Sequence, residues 1–133
     1  MELTRLTDPL ICQEVTNLHL DYFTFDVEDW FQNPLNYALI NKDNVGFAEY
    51  KSEGVYWVHF CFNTARGREA MNLSKAMLES LFIHRPAKTA IGIISCDNKK
   101  ARWLIRQIGF TSLGFTETKN GTCEMFYYTK DNN

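Results

Sequence analysis

"DNKKARWLIRQIGF", residues 97–110, decides the fold. Ala101, Leu104, Ile105 and Ile108 share one helical stripe, while Lys99, Lys100, Arg102 and Arg106 supply a basic patch. Asn98 is placed to cap the first turn, and Gly109 can take the left-handed conformation that closes a helix. Phe110 then packs back on the core and begins a new alternating apolar run, so the stretch is a short helix with an abrupt corner into a strand. Trp103 lies off the stripe and would cover a neighbouring strand or loop. Before it, after Pro86, "TAIGIIS" (89–95) is an unbroken apolar strand of the kind buried on both faces. After it come two further strands, "FTSLGF" (110–115) and "TCEMFYY" (122–128).

Further upstream, residues 66–82 have Ala70, Leu73, Met77 and Leu81 on one face and Arg68, Asn72, Lys75 and Glu79 on the other, which predicts a helix. From Tyr37 to Phe62, three β-branched and aromatic runs are separated by the turn signals "KDN" and "KSEG", which predicts an antiparallel meander. The strand, helix and strand between 55 and 95 require parallel pairing through a right-handed crossover. Residues 1–6 suit a first strand. "DPLICQEVTNLHL" (8–20) suits a helix with Leu10, Ile11, Val15 and Leu18 on its apolar face, and "DYFTFDVEDWFQNPL" (21–35) a short helix or an aromatic-lined loop. The expected fold is a single α/β domain over 1–133, of the α+β type. It has a mixed, mostly antiparallel sheet of six to seven strands with helices on both faces, and the C-terminal "KDNN" frays.

The 133 residues are 45% hydrophobic and 14% aromatic, which suits one domain with a substantial core. A formal charge of -2 gives no global electrostatic case for nucleic acid or for an anionic membrane surface. No apolar run approaches the ~20 residues that cross a bilayer, and "MELTRLTDPL" lacks the layout of a signal peptide, so a cytoplasmic protein is expected. Cys12, Cys61, Cys96 and Cys123 are dispersed, with no CxxC pair and no matching histidine spacing. Reduced, buried thiols are expected, and no metal site.

The quoted stretch resembles the second cofactor segment of the Gcn5-related N-acetyltransferases (GNAT), in Asn98, Ala101, Ile108, Gly109 and Phe110. "FNTARGREAMNLSKAMLESLF" (62–82) resembles that family's acyl-CoA pyrophosphate loop and the helix after it. The resemblance spans about residues 37–129 and implies the GNAT fold first and acyl transfer second. In such a loop, N–H groups at a helix N-terminus receive the pyrophosphate, and glycine lets the backbone approach it. Two features depart from the family's pattern. Counted from Arg66, the expected glycines fall on Glu69 and Met71, with Gly67 earlier; and the position of the tyrosine that commonly protonates the leaving thiolate is Ile105, which also fits a core stripe. Tyr127, Tyr128 or a water would then have to stand in.

The resemblance implies acetyl-CoA as cofactor, held by Arg66, Gly67, Arg68 and Asn98, with backbone at Cys61 and Phe62 polarising the thioester. It places His59 where the family's catalytic carboxylates sit, and a side chain of pKa ~6.5 suits a base. The plainer alternative is a half-buried histidine in an aromatic strand. Glu49 and Glu53 are other bases, beside or within a solvated turn. Tyr22, Phe23, Phe25, Asp26, Glu28, Asp29 and Trp30 occupy the region that shapes the acceptor site, where acids would favour a cationic small-molecule amine or a basic partner protein. An acetyl-CoA-dependent N-acetyltransferase is the first expectation. The alternative is a GNAT-fold binding or assembly protein without catalysis, similar to compact GNAT-like proteins of tailed bacteriophages, which would sit in host cytoplasm or virion. An exposed apolar patch on a sheet edge would signal a homodimer.

Overall fold

Alternation along the strands decides which side chains meet. In the computed structural model, which describes residues 2–16, 26–119 and 121–130, Tyr37 and Leu39 pack into one apolar cluster and Ala38 and Ile40 into another. One sheet therefore has two covered faces. The elements are β1 (Thr4–Arg5), α1 (Pro9–Thr16), α2 (Val27–Gln32), β2 (Tyr37–Asn41), β3 (Asn44–Ser52), β4 (Val55–Phe62), α3 (Gly67–His84), β5 (Thr89–Ser95), α4 (Lys99–Gln107), β6 (Thr111–Thr118) and β7 (Gly121–Thr129). The strands lie in the order β1-β2-β3-β4-β5-β7-β6, every neighbouring pair antiparallel except β4 and β5.

The larger cluster lies under α3 and α4. It joins Leu73, Met77 and Leu81 of α3 and Ile105 of α4 to Tyr56 and Val58 of β4, Ala90 of β5 and Phe126 of β7. Glycine lets the helices approach: a Cβ on Gly46 would stand 2.5 Å from Met77 Sδ, and one on Gly92 2.5 Å from Ile105 Cδ1. The smaller cluster joins Cys12 of α1 and Trp30 of α2 to Val45, Phe47 and Cys61. Asp26 caps α2, its Oδ1 accepting from Glu28 N at 3.0 Å and Asp29 N at 3.3 Å, so the acidic start of that segment is helical.

The α/β class, the meander, the parallel β4–β5 unit and the corner after α4 are as expected. Gly109 has φ +105, its N–H bonds Arg106 O, and buried Phe110 stacks near Tyr128. Three details differ. The first strand shrinks to Thr4–Arg5, which among the described residues pairs with β2 alone. Leu10, 67% exposed, and Ile11 point outward, because α1 turns Cys12 and Val15 to the sheet. Trp103 is 49% exposed and belongs to neither apolar cluster among the described residues. Leu18, Tyr22, Phe23 and Phe25 lie outside the described residues, as do the last three residues of the chain.

Candidate active site

β4 and β5 pair only at Val55 with Thr89, Tyr56 with Ala90 and Trp57 with Ile91. Beyond that point β4 runs on to Phe62, still paired with β3, and β5 runs on to Ser95, still paired with β7. The sheet opens as a wedge whose walls carry backbone N–H and C=O groups without a strand partner. Both chain segments that leave the mouth of the wedge enter helices, α3 from the β4 side and α4 from the β5 side.

The turn before α3 is held from inside. Asn44, 0% exposed, accepts from Thr64 N and Ala65 N at 3.0 Å each and donates to Asn41 O at 3.2 Å and Thr64 Oγ1 at 3.1 Å. Asn63 Nδ2 donates to Asp43 O at 2.7 Å and to Val15 O at 2.9 Å. The chain then passes through extended Arg66 into Gly67, at φ +55, where a side chain would be strained although the space is open. Among the described residues no side chain caps α3, and the N–H groups of Gly67 and Arg68 make no hydrogen bond. Arg66 and Arg68 are exposed beside them. The positive end of a long helix and two guanidinium groups thus lie side by side, an arrangement that could hold an anion. Glu69 lines a cleft of about 470 Å³ with Glu2, Thr4, Asn41 and Lys42, on the β1–β2 side of α3 and away from β5.

Asn98 caps α4, its Oδ1 accepting from Ala101 N at 3.1 Å. Of the basic patch, Arg102 and Arg106 turn to the sheet. Both bond the buried carboxylate of Glu124 on β7, Arg102 Nε at 2.9 Å and Arg106 at 2.7 Å, with Ser112 Oγ donating at 2.7 Å. The Ser112 hydrogen bond, with the two guanidinium groups, holds the Glu124 carboxyl below its ordinary range against the opposing effect of burial. Arg102 also donates to Cys96 O, so this cluster ties the end of β5 to β7. Glu124 stands unmarked in "TCEMFYY"; the signal that could have found it is a lone acid at a core-facing strand position, opposite arginines four residues apart on a helix.

His59 shares a sheet face with Trp57 and Cys61, opposite Phe47, and is half-buried. Burial pushes its pKa below 6.5, with Lys51 adding to the effect and Glu49 opposing it, so the imidazole is neutral near pH 7 and able to accept a proton. Glu49 is paired with Lys51 at 2.6 Å, which in turn lies over the Trp57 ring, and Glu53 is exposed in the β3–β4 turn. Burial, with Cys12 nearby, pushes the Cys61 thiol up to about 11, leaving only its backbone for chemistry. Ile105 is 4% exposed under Gly92, a packing residue. Tyr128 is packed against Phe82 and Phe110, whereas Tyr127 faces the other side of the sheet, half-buried, beside Ile91. The wedge thus brings together the ends of β4 and β5 with Arg66, Gly67, Arg68 and Asn98. His59 stands on the β4 wall, and Glu28 and Asp29 are exposed in the first turn of α2.

No protein-family model matches this sequence, nor does any curated protein. The fold matches solved structures of acetyltransferases. A chimera of the spermidine N-acetyltransferase SpeG from Vibrio cholerae with hSSAT superimposes with a TM-score of 0.78 at 11% identity, over 97% of this chain and 96% of that one. A mutant of the Vibrio cholerae enzyme gives 0.76 at 11%, over 97% and 95%. The aminoglycoside acetyltransferase AAC(6')-Ib, in complex with coenzyme A and kanamycin, gives 0.71 at 16%, over 96% and 94%. At these identities the likeness is one of architecture: the chain has the GNAT fold.

Proposed function

We propose that this chain is an acetyl-CoA-dependent N-acetyltransferase that transfers the acyl group to an amine acceptor. The wedge between β4 and β5, with the uncapped start of α3 at its mouth, carries this reading. Bound acetyl-CoA would supply an activated acyl group. Gly67 and Arg68 N–H with the Arg66 and Arg68 side chains hold the pyrophosphate, and Asn98, at the start of α4, bonds the pantetheine arm. Backbone at Cys61 and Phe62, on the open edge of β4, donates to the thioester oxygen as negative charge develops there. His59 takes the amine proton as the new C–N bond forms and the C–S bond breaks. The acceptor is a cationic amine drawn by Asp26, Glu28 and Asp29. SpeG and AAC(6')-Ib are named for spermidine and aminoglycosides, which makes polyamines and aminoglycosides the first acceptors to test.

A calorimetric titration of acetyl-CoA into the protein tests this, repeated with Arg66→Ala. Micromolar binding that weakens about tenfold or more in the variant is the expected result. No heat at millimolar cofactor, with no rise in melting temperature, would remove the enzyme reading. One observation favours a second reading, a GNAT-fold binding protein without catalysis: Ile105 packs in the core where the family's acid is expected. Acetyl-CoA binding without turnover on any amine would select it.

A further inference from the structure

Asn44 is a fully buried polar side chain at the start of β3. A primary amide offers two donors and two acceptor sites, and burying it is costly unless they are met. All four are met, and three of them go to one segment, the Thr64–Ala65 backbone and the Thr64 hydroxyl; the fourth reaches Asn41 O. The ladder between β3 and β4 ends at Asn44 with Phe62, so strand pairing cannot serve those two N–H groups. The amide continues the ladder where the backbone has left it. The Thr64 hydroxyl, accepting from Asn44, donates in turn to Asp43 Oδ1 at 2.7 Å, which braces the same turn from outside. With the N–H groups of residues 64 and 65 drawn inward, those of Gly67 and Arg68, beyond Arg66, open α3 without a hydrogen bond among the described residues.

We propose that Asn44 is a positioning residue: it touches no ligand, and it sets the 63–66 turn so that the first N–H groups of α3 are ready for the pyrophosphate of an acyl-CoA. This assignment rests on the functional reading above. It predicts that the Thr64 and Ala65 amides exchange slowly in the free protein and are unchanged by acetyl-CoA, while the Gly67 and Arg68 amides gain protection when it binds. It also predicts that Asn44→Ala weakens acetyl-CoA binding about tenfold or more, the scale of one lost charge-assisted hydrogen bond. Binding of S-acetylpantetheine, which has the thioester and arm but no pyrophosphate, stays unchanged. Asn44→Asp keeps both acceptor bonds and is expected to fall between.

Residue-resolved hydrogen exchange on the full chain, with and without acetyl-CoA, is paired with titrations of wild type and both variants. A folded Asn44→Ala protein within twofold of wild type for acetyl-CoA overturns the assignment, as does equal weakening for both donors. If that variant does not fold, exchange in the wild type decides: Thr64 and Ala65 amides protected only after acetyl-CoA is added would overturn it. Failure of the wild type to bind acetyl-CoA at all overturns the functional reading itself, a distinct outcome.

Discussion

His59 carries a charge balance that pH will expose. Its pKa is below 6.5 when folded and ordinary when unfolded, so on acidification below about 6.5 the unfolded chain takes up the proton first. Stability is full above that point and falls as pH drops towards the folded pKa. Urea midpoints should therefore decline from pH 7 to pH 5, and His59→Gln should flatten that decline; an unchanged slope would show that His59 is not the group responsible. Glu124 acts in the same direction lower down, from 4.5 downwards, because its folded pKa is also depressed. Under the proposed role of His59 as base, His59→Gln should also lower kcat/KM by ~10²- to 10⁴-fold. The strand position of His59 and the cap at Asn98 were legible from sequence because both are local facts. Asn44 and Glu124 were not. Asn44 stands in "KDN", a sequence that signals a turn, and only the crossing of the 63–66 segment makes it the inside of something.

The contact between α4 and β5 is set by one glycine. A methyl group on Gly92 would stand 2.5 Å from Ile105 Cδ1, the tip of a buried side chain that would have to move, so Gly92→Ala should destabilise by about 1–3 kcal/mol through overpacking. Ile105→Val removes that methyl and should cost about 0.5–1.5 kcal/mol alone. Combined, the two should cost clearly less than their sum, measured by urea unfolding of the four proteins; simple additivity would mean that α4 shifts instead. The helix itself was readable because its caps and its stripe agree. The facing of α1 was not: Leu10 and Ile11 have the stronger apolar character, yet they are exposed while Cys12 lies against Val45, Phe47 and Cys61. An eight-residue helix turns according to what fits beneath it, and a small thiol packs closer than leucine.

Across the whole molecule the two faces of the sheet are unequal. α3 and α4 share a large apolar cluster, whereas α1 and α2 cover a smaller one. Native-state hydrogen exchange should accordingly show α1 opening at lower free energy than α3 and β4, and equal protection would contradict that division. That β4 and β5 run parallel followed from the helix between them. That they part after Trp57 and Ile91 did not, since strand twist and the packing of both flanking pairs fix where a register ends. The two margins of the sheet are just as unlike. β1 closes one side with two residues, while β6 leaves eight along the other, with Leu113 and Phe115, 64% exposed, in the open. Colloidal behaviour should follow from that margin: concentrated or warmed samples will grow strand upon strand from β6, and a single lysine in place of Phe115 should raise the concentration at which light scattering begins.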